Sequence, residues 1–355
     1  MRISSFEART VDLPLVEGYR ITGKTITSCQ NHLVRVESGG LSGFGSASPS
    51  GDVTGEDDAM CIAAMQNSLA DLTTGFELEH DVSAWSDAAF AIVPECPAAR
   101  AAVDMALWDL LAKQANMPLV RLWGGEPQPI PTSVTIGICE VEQTLREAES
   151  WLARGYIVIK VKIGEDLDAD VERLRQLRNL AGPDIRIRVD ANQGYDLDGA
   201  RRLLAQTAPL NIEMFEQPVP QTDLAAFATL TAESSVPIVA DESAGTVAEC
   251  IEVVDRNAAH GVNIKLMKCG GPTPARYIHD YAYAAGLSLM LGCNDETRIS
   301  IAAGVHLAQS MPGLRYADLD GHMDLASDPS SGGVDIVGGC LVLSDKPGLG
   351  TKIDW

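Results

Sequence analysis

Between residues 130 and 320 the chain repeats one pattern, a short apolar run followed by a longer stretch whose apolar positions recur every three or four residues. The runs are SVTIGI, YIVIKVK, IRIRVDA, IEMFEQP, PIVADES, VNIKLMK, LSLMLGC and LRYADLD, eight in all. Between them lie segments such as VEQTLREAESWLARG, DADVERLRQLRNLAG and TPARYIHDYAYAAG. Eight strands alternating with helices over about 200 residues is the pattern of a parallel (β/α)8 barrel, and each run suits a strand buried on both faces.

The residues before this repeat follow another rhythm. TITSCQNHLVRVES and GLSGFGSASP carry β-branched runs broken by glycine, and from about Gly55 the pattern turns helical through PAARAAVDMALWDLLAKQA. In that helix Ala102, Met105, Ala106, Asp109 and Leu110 recur at three and four, so it is expected to pack on one face. Strands then helices, without alternation, suggest an α+β layer. The expected organisation is α/β: a capping domain over residues 1–125, a modified barrel over 126–323, and a segment over 324–355 that returns to the capping domain.

A length of 355 residues agrees with two domains, or one barrel with an addition. Hydrophobic residues make up 46% and charged residues 21%, which suits a chain that buries a sizeable core and excludes disorder as its main state. The net charge of -22 repels phosphate backbones and anionic lipid, which argues against nucleic-acid or membrane-surface work. No apolar stretch approaches the ~18 residues that cross a bilayer, and MRISSFEARTVDL lacks a signal-peptide core. The expectation is a cytoplasmic homo-oligomer acting on a small molecule. The eight cysteines are scattered with no CxxC pair and read as buried thiols.

In a barrel of this kind the C-terminal strand ends carry the chemistry. The polar residues closing the eight runs are Thr135, Lys162, Asp190, Glu216, Asp241, Lys265, Asn294 and Asp318, with steps of 28, 26, 25 and 24 residues between positions 162 and 265. Asp190, Glu216 and Asp241 come from neighbouring strands and face one quarter of the mouth. Singly, each could cap a helix or pair with arginine. Three crowded carboxylates call for a cation, and an all-oxygen set favours a hard ion, Mg²⁺. Asn192 and Glu242 lie close enough in sequence to support these ligands.

Lys162 and Lys265 close the second and sixth runs, four positions apart in an eight-strand ring, so they face each other across the mouth. A metal-bound carboxylate would have its α-carbon between two amines, with the metal stabilising the enediolate left when the α-proton departs. Lys160 shares the inward face with Lys162, and its like charge is expected to bring Lys162 toward the range of a base. Lys268 reads as solvated or structural, and none of the six histidines falls where a base is needed.

These residues resemble the enolase superfamily, in particular its muconate-lactonizing subgroup. The matching pieces are ALWDLLAK, KVK at 160–162, VDAN around Asp190, EQP at 216–218, ADES around Asp241 and IKLMKCGG from Ile264. The resemblance implies a capping domain closing over a modified barrel, Asp190, Glu216 and Asp241 as metal ligands, and Lys162 and Lys265 as the acid/base pair, a pairing of Lys and Mg²⁺ general to that superfamily.

The eighth run puts Asp318 and Asp320 on one inward face, opposite the proposed metal, where they would hold an ammonium one substrate length away. This DxD resembles the dipeptide epimerases, as do SVTIGI around Thr135 and the GCNDETRISIAAG stretch. The resemblance implies inversion of the C-terminal residue of an L,L-dipeptide. Arg20 and Lys24, in the loop GYRITGKTITS, could meet an acidic substrate side chain. Two departures from the pattern, Ser46 and Asn294, bear on side-chain preference. Other readings on the same scaffold are an N-succinylamino-acid racemase, a cycloisomerase, a hydroxyproline dehydratase, or a silent metabolite-binding homologue.

Overall fold

The computed structural model describes residues 1–355. The chain opens with an antiparallel meander of β1 (Ser5–Ile21), β2 (Lys24–Ser38) and β3 (Leu41–Ala47). The turn between β2 and β3 is the pair Gly39–Gly40, both at positive φ, as a tight hairpin with the right twist requires. The β1–β2 pairing shifts register between Pro14 and Tyr19, so the hairpin tip pairs in a different register from the rest of the two strands.

Across this sheet lies the Pro97–Gln114 helix, with proline in its first turn, where no intrahelical N–H is lost. Sixteen consecutive residues, Pro97 to Ala112, are buried. This corrects the expectation of a one-sided helix. Its sequence shows polar residues on the face that would be exposed, but they find partners inside: Asp104 Oδ2 accepts from Thr273 N–H and Oγ1, and Asp109 accepts from the N–H groups of Phe44 and Leu349. The helix is a middle layer between sheet and barrel, so both of its faces are covered.

The barrel contains all eight strands: β4 (Val134–Ile136), β5 (Val158–Lys162), β6 (Arg186–Asp190), β7 (Ile212–Glu216), β8 (Ile238–Ala240), β9 (Gly261–Lys265), β10 (Ser288–Gly292) and β11 (Leu314–Asp318). Each pairs in parallel with the next in sequence. Between β11 and β4 there is no regular ladder. There Ser133 N–H donates to Ala317 O at 3.1 Å, Leu319 N–H to Thr132 Oγ1 at 2.9 Å, and the buried Arg188 guanidinium to Ala317 O at 2.7 Å. Thr135 pairs with Lys160 and so stands one level below the ring it was expected to join.

In the C-terminal segment, strand Cys340–Leu343 pairs with both Val334–Val337 and Ile130–Pro131, and Thr351–Ile353 pairs with Ser330–Gly332. The terminal Trp355 donates to Glu7, and the guanidinium groups of Arg9 and Arg35 stack on its ring at 4.8 and 4.9 Å. All eight cysteines are free. No helix is long and apolar enough to cross a membrane.

Candidate active site

Alternation along the strands builds the site from below. Met214, Val239, Met290 and Tyr316 form a separate buried cluster, and Met214, Val239 and Tyr316 stand two residues before Glu216, Asp241 and Asp318. An apolar floor thus supports a polar ring. The register levels that ring: Lys162 pairs with Asp190, Asp190 with Glu216, and Lys265 reaches Asp318 through Gly292.

Lysines and acids interleave in the ring. Lys162 Nζ lies 2.7 Å from Asp190 Oδ2 and 2.9 Å from Asn192 Oδ1. Lys265 Nζ lies 3.0 Å from Asp241 Oδ2. Lys160 Nζ lies 3.0 Å from Asp190, 2.8 Å from Glu216 and 2.7 Å from Asp318. The two lysines at the ends of β5 and β9 therefore rest on different aspartates, and both line one cavity of about 900 Å³.

The electrostatics follow from burial and from which charges stand nearest. Burial alone would raise Asp190, yet Lys160 and Lys162 hold its carboxyl well below the usual range. Lys265 and Lys268 do the same for Asp241 against a similar burial penalty. Glu216 has less help: burial, then the charge of Asp190, pushes it to about 7. Burial beside Asp241 and Asp190 pushes Glu242 to about 7 as well. Burial works against the ammonium of Lys160, but Asp190, Asp318 and Glu216 outweigh it and keep it firmly protonated. Asp241 likewise outweighs burial for Lys265 and raises it.

Lys160 therefore does more than add like charge beside Lys162. Asp190 Oδ2 stands within 3.0 Å of both amines and screens one from the other.

The donor set suits a hard cation. Glu242 Oε2 is buried and accepts no hydrogen bond, Glu216 Oε2 and Asp241 Oδ2 are buried against a lysine ammonium at 2.8 and 3.0 Å, and the remaining oxygens are ordered by neighbours: Asn263 donates to Glu216 Oε1 at 2.7 Å, and Asn192 to Glu242 Oε1 at 3.3 Å. No three acidic, His or Cys side chains converge on a common ion position in this conformation. Lysine ammonium groups take up the space between the acids.

Backbone strain marks the same rim. Asn192 and Gln217, just past Asp190 and Glu216, have φ of 39° and 38°. The Gln217 side chain repays this by accepting from the N–H groups of Asp241 and Ser243, which fixes the next strand end.

Asp318 accepts from Lys160 and from Ser133 Oγ, and Asp320 accepts from Thr135 N–H at 2.8 Å. Arg20 reaches the rim but is bound by both oxygens of Glu165 at 2.9 Å, and Lys24 sits 3.1 Å from Asp52. Neither is left as a free cation for an acidic side chain. Lys268 is structural and buried rather than solvated, donating to Asp241 and to Asn263 O. Asn294 donates to Ser48 O, and Ser46 to Asn31 Oδ1. Burial pushes His306 down to about 4, and it accepts from Val120 N–H.

Sequence reasoning passed over Asn263, Gln217, Asp295 and Asp324. Asn263 had a usable signal, two residues before Lys265 on the inward face. Asp295 and Asp324 sit on loops, where no period exists to read. They line the cavity with Tyr19, whose hydroxyl donates to Asp295 at 3.0 Å.

Two family models match the chain: the mandelate racemase / muconate lactonizing enzyme N-terminal domain over residues 6–124, and the enolase C-terminal domain-like model over 143–355. Similar curated proteins include the L-Lys-D/L-Arg epimerases of Methylococcus capsulatus, 44% identical over 99% of each chain, and of Desulforapulum autotrophicum, 38% identical over 99% of each. A solved dipeptide epimerase of Methylococcus capsulatus, complexed with Mg and the dipeptide L-Arg-D-Lys, superimposes with a TM-score of 0.93 at 42% identity, covering 99% of both chains. With models matching both of its halves and relatives aligned along nearly its whole length, the chain belongs to the mandelate racemase / muconate lactonizing enzyme family of the enolase superfamily.

Proposed function

We propose that this protein is a Mg²⁺-dependent dipeptide epimerase that inverts the α-carbon of the C-terminal residue of an L,L-dipeptide, with a preference for basic side chains. The observation that carries the reading is that Lys162 and Lys265, on strands four apart in the barrel, face one cavity while each rests on its own aspartate. The relatives named above are epimerases of this substrate type, and each of the two basic groups on the rim already has a carboxylate partner, so neither is reserved for an acidic substrate.

Asp190, Glu216 and Asp241 would hold the metal, with Asn192 and Glu242 ordering the ring around them. When bound, the ion supplies positive charge that anchors the substrate carboxylate and makes the adjacent C–H more acidic. One ε-amino group, in its neutral form, takes the α-proton. The other, as ammonium, returns a proton to the opposite face, so the two lysines exchange protonation states in each turnover. Lys160, fully paired and buried, keeps its proton and braces Asp190, Glu216 and Asp318. Asp318 and Asp320 would receive the substrate ammonium, and the hairpin tip of β1 and β2 excludes water above the site: Thr22 Oγ1 donates to Ile163 O and Ala191 O, each at 3.0 Å. Eight free thiols support a cytoplasmic setting.

Incubation of an L,L-dipeptide library in heavy water with enzyme and Mg²⁺ tests the reading. The expected result is α-deuterium incorporation at the C-terminal residue with growth of the L,D-diastereomer. Absence of exchange throughout the library would refute it.

A further inference from the structure

One wall of the cavity carries acidic side chains that no basic side chain of the protein pairs with. The cations lining the cavity are all engaged: Lys160, Lys162 and Lys265 with the ring acids, Arg20 with Glu165, Lys24 with Asp52, and Arg154 stacked on Trp151 at 4.1 Å. Asp295, Asp320 and Asp324 line the same cavity and form no ion pair. They are not equivalent. Asp295 already holds the Tyr19 hydroxyl and feels Lys162 and Lys265, so it belongs to the reacting end. Asp320 is 8% exposed and has one oxygen committed to Thr135 N–H. The Asp324 carboxylate makes no hydrogen bond, and its charged neighbours are acids alone, Asp320 first, then Asp295 and Glu147. Burial among these acids pushes it up to about 8.

Asp324 is also held in place. Its carbonyl accepts Val16 N–H at 2.8 Å, and Ala326 N–H donates to Pro14 O at 2.8 Å, so the loop is stitched to β1 on both sides of it. A fixed, half-buried carboxylate without a donor awaits one from the ligand. An ammonium received at Asp318 and Asp320 neutralises one charge and leaves Asp324 unanswered beside it. The Methylococcus capsulatus relative was solved with a dipeptide basic at both residues.

We propose that Asp324 is a specificity-determining residue that receives the ammonium or guanidinium of the substrate's N-terminal side chain, so the enzyme selects Lys or Arg at that position through this contact. The proposal rests on the dipeptide epimerase reading, which places the N-terminal ammonium at Asp320. A charge-assisted hydrogen bond of this kind is worth about tenfold or more in affinity.

The test uses L-Arg-L-Ala, L-Ala-L-Arg and L-Leu-L-Ala with the wild type, Asp324→Asn and Asp324→Glu, all with Mg²⁺. Exchange kinetics and calorimetric affinity are measured in parallel. Asp324→Asn is expected to lose about tenfold or more in kcat/KM and affinity for L-Arg-L-Ala, to stay within about threefold for the other two, and to be rescued in part by Asp324→Glu. Equal loss on all three dipeptides, loss confined to L-Ala-L-Arg, or no loss would overturn the assignment. If the wild type exchanges none of them, the epimerase reading fails, and the calorimetric comparison still decides whether Asp324 binds the N-terminal side chain.

Discussion

At the scale of single residues, the site is governed by which amine meets which carboxylate. Lys162 and Lys265 rest on different aspartates, so removing one should disable one face and leave the other. Lys162→Ala and Lys265→Ala are each expected to lose about 10²- to 10⁴-fold in epimerisation. Each should retain α-deuterium exchange with only one diastereomer, and loss of exchange with both in either variant would contradict the opposed arrangement. Lys160 has a different part. It balances three buried acids, and Lys160→Met leaves Asp190, Glu216 and Asp318 facing one another. A loss of about 3–5 kcal/mol is expected in urea denaturation at pH 8. The loss should shrink below pH 7, where Glu216 takes up a proton.

At the scale of elements, the buried helix Pro97–Gln114 and β3 are joined by close backbone approach. A Cβ added at Gly45 would lie 1.8 Å from Ala102 O, and one at Gly43 would lie 2.0 Å from Ala106 O. These are two successive rows of one helix face, so the sheet meets the helix along its small-residue stripe. Gly45→Ala is expected to cost about 1–3 kcal/mol or more, while Gly51→Ala, with nothing within 4 Å, should be neutral in the same denaturation series. The lid is set in the same way. Gly164 has φ of 120°, and a Cβ there would meet Ala191 O at 2.6 Å and Thr22 Oγ1 at 2.7 Å. Gly164→Ala should therefore lift the hairpin tip, raising KM more than it lowers kcat.

At the scale of the whole molecule, unbalanced negative charge couples pH, metal and stability. Burial holds Glu216, Glu242 and Asp320 at about 7 and Asp324 at about 8. These groups keep protons in the fold at a pH where the unfolded chain has lost them. Their contribution is fully present below the ordinary carboxylate range, near 4, and is lost as pH rises through 7 to 8. Asp190 and Asp241, shifted the other way, weaken the fold only in strong acid. Without Mg²⁺, Tm should fall between pH 6 and 8.5, and Mg²⁺ should raise it more at pH 8.5, where Glu216 is ionised. A Mg²⁺ effect equal at both pH values in differential scanning calorimetry would contradict this. The net charge of -22 adds self-repulsion that salt screens, whereas the buried groups respond little to salt.

Much of this was legible from residue order. In a βα repeat every parallel strand points the same way, so a polar residue closing each apolar run must reach the same end of the barrel, and six strand-end charges could be placed from residue order alone. Spacing also identified Lys162 and Lys265 as opposed, because four units separate halves of an eight-strand ring. Contacts between residues far apart in the chain were beyond it. That Asp318 meets Lys160, that Glu165 takes Arg20, that the polar residues of the Pro97–Gln114 helix are buried with partners, and that Asp324 shares a wall with Asp295 are outcomes of side chains converging from loops and strands with no common period. Periodicity records which way a residue faces along its own element, and only packing decides what stands opposite it.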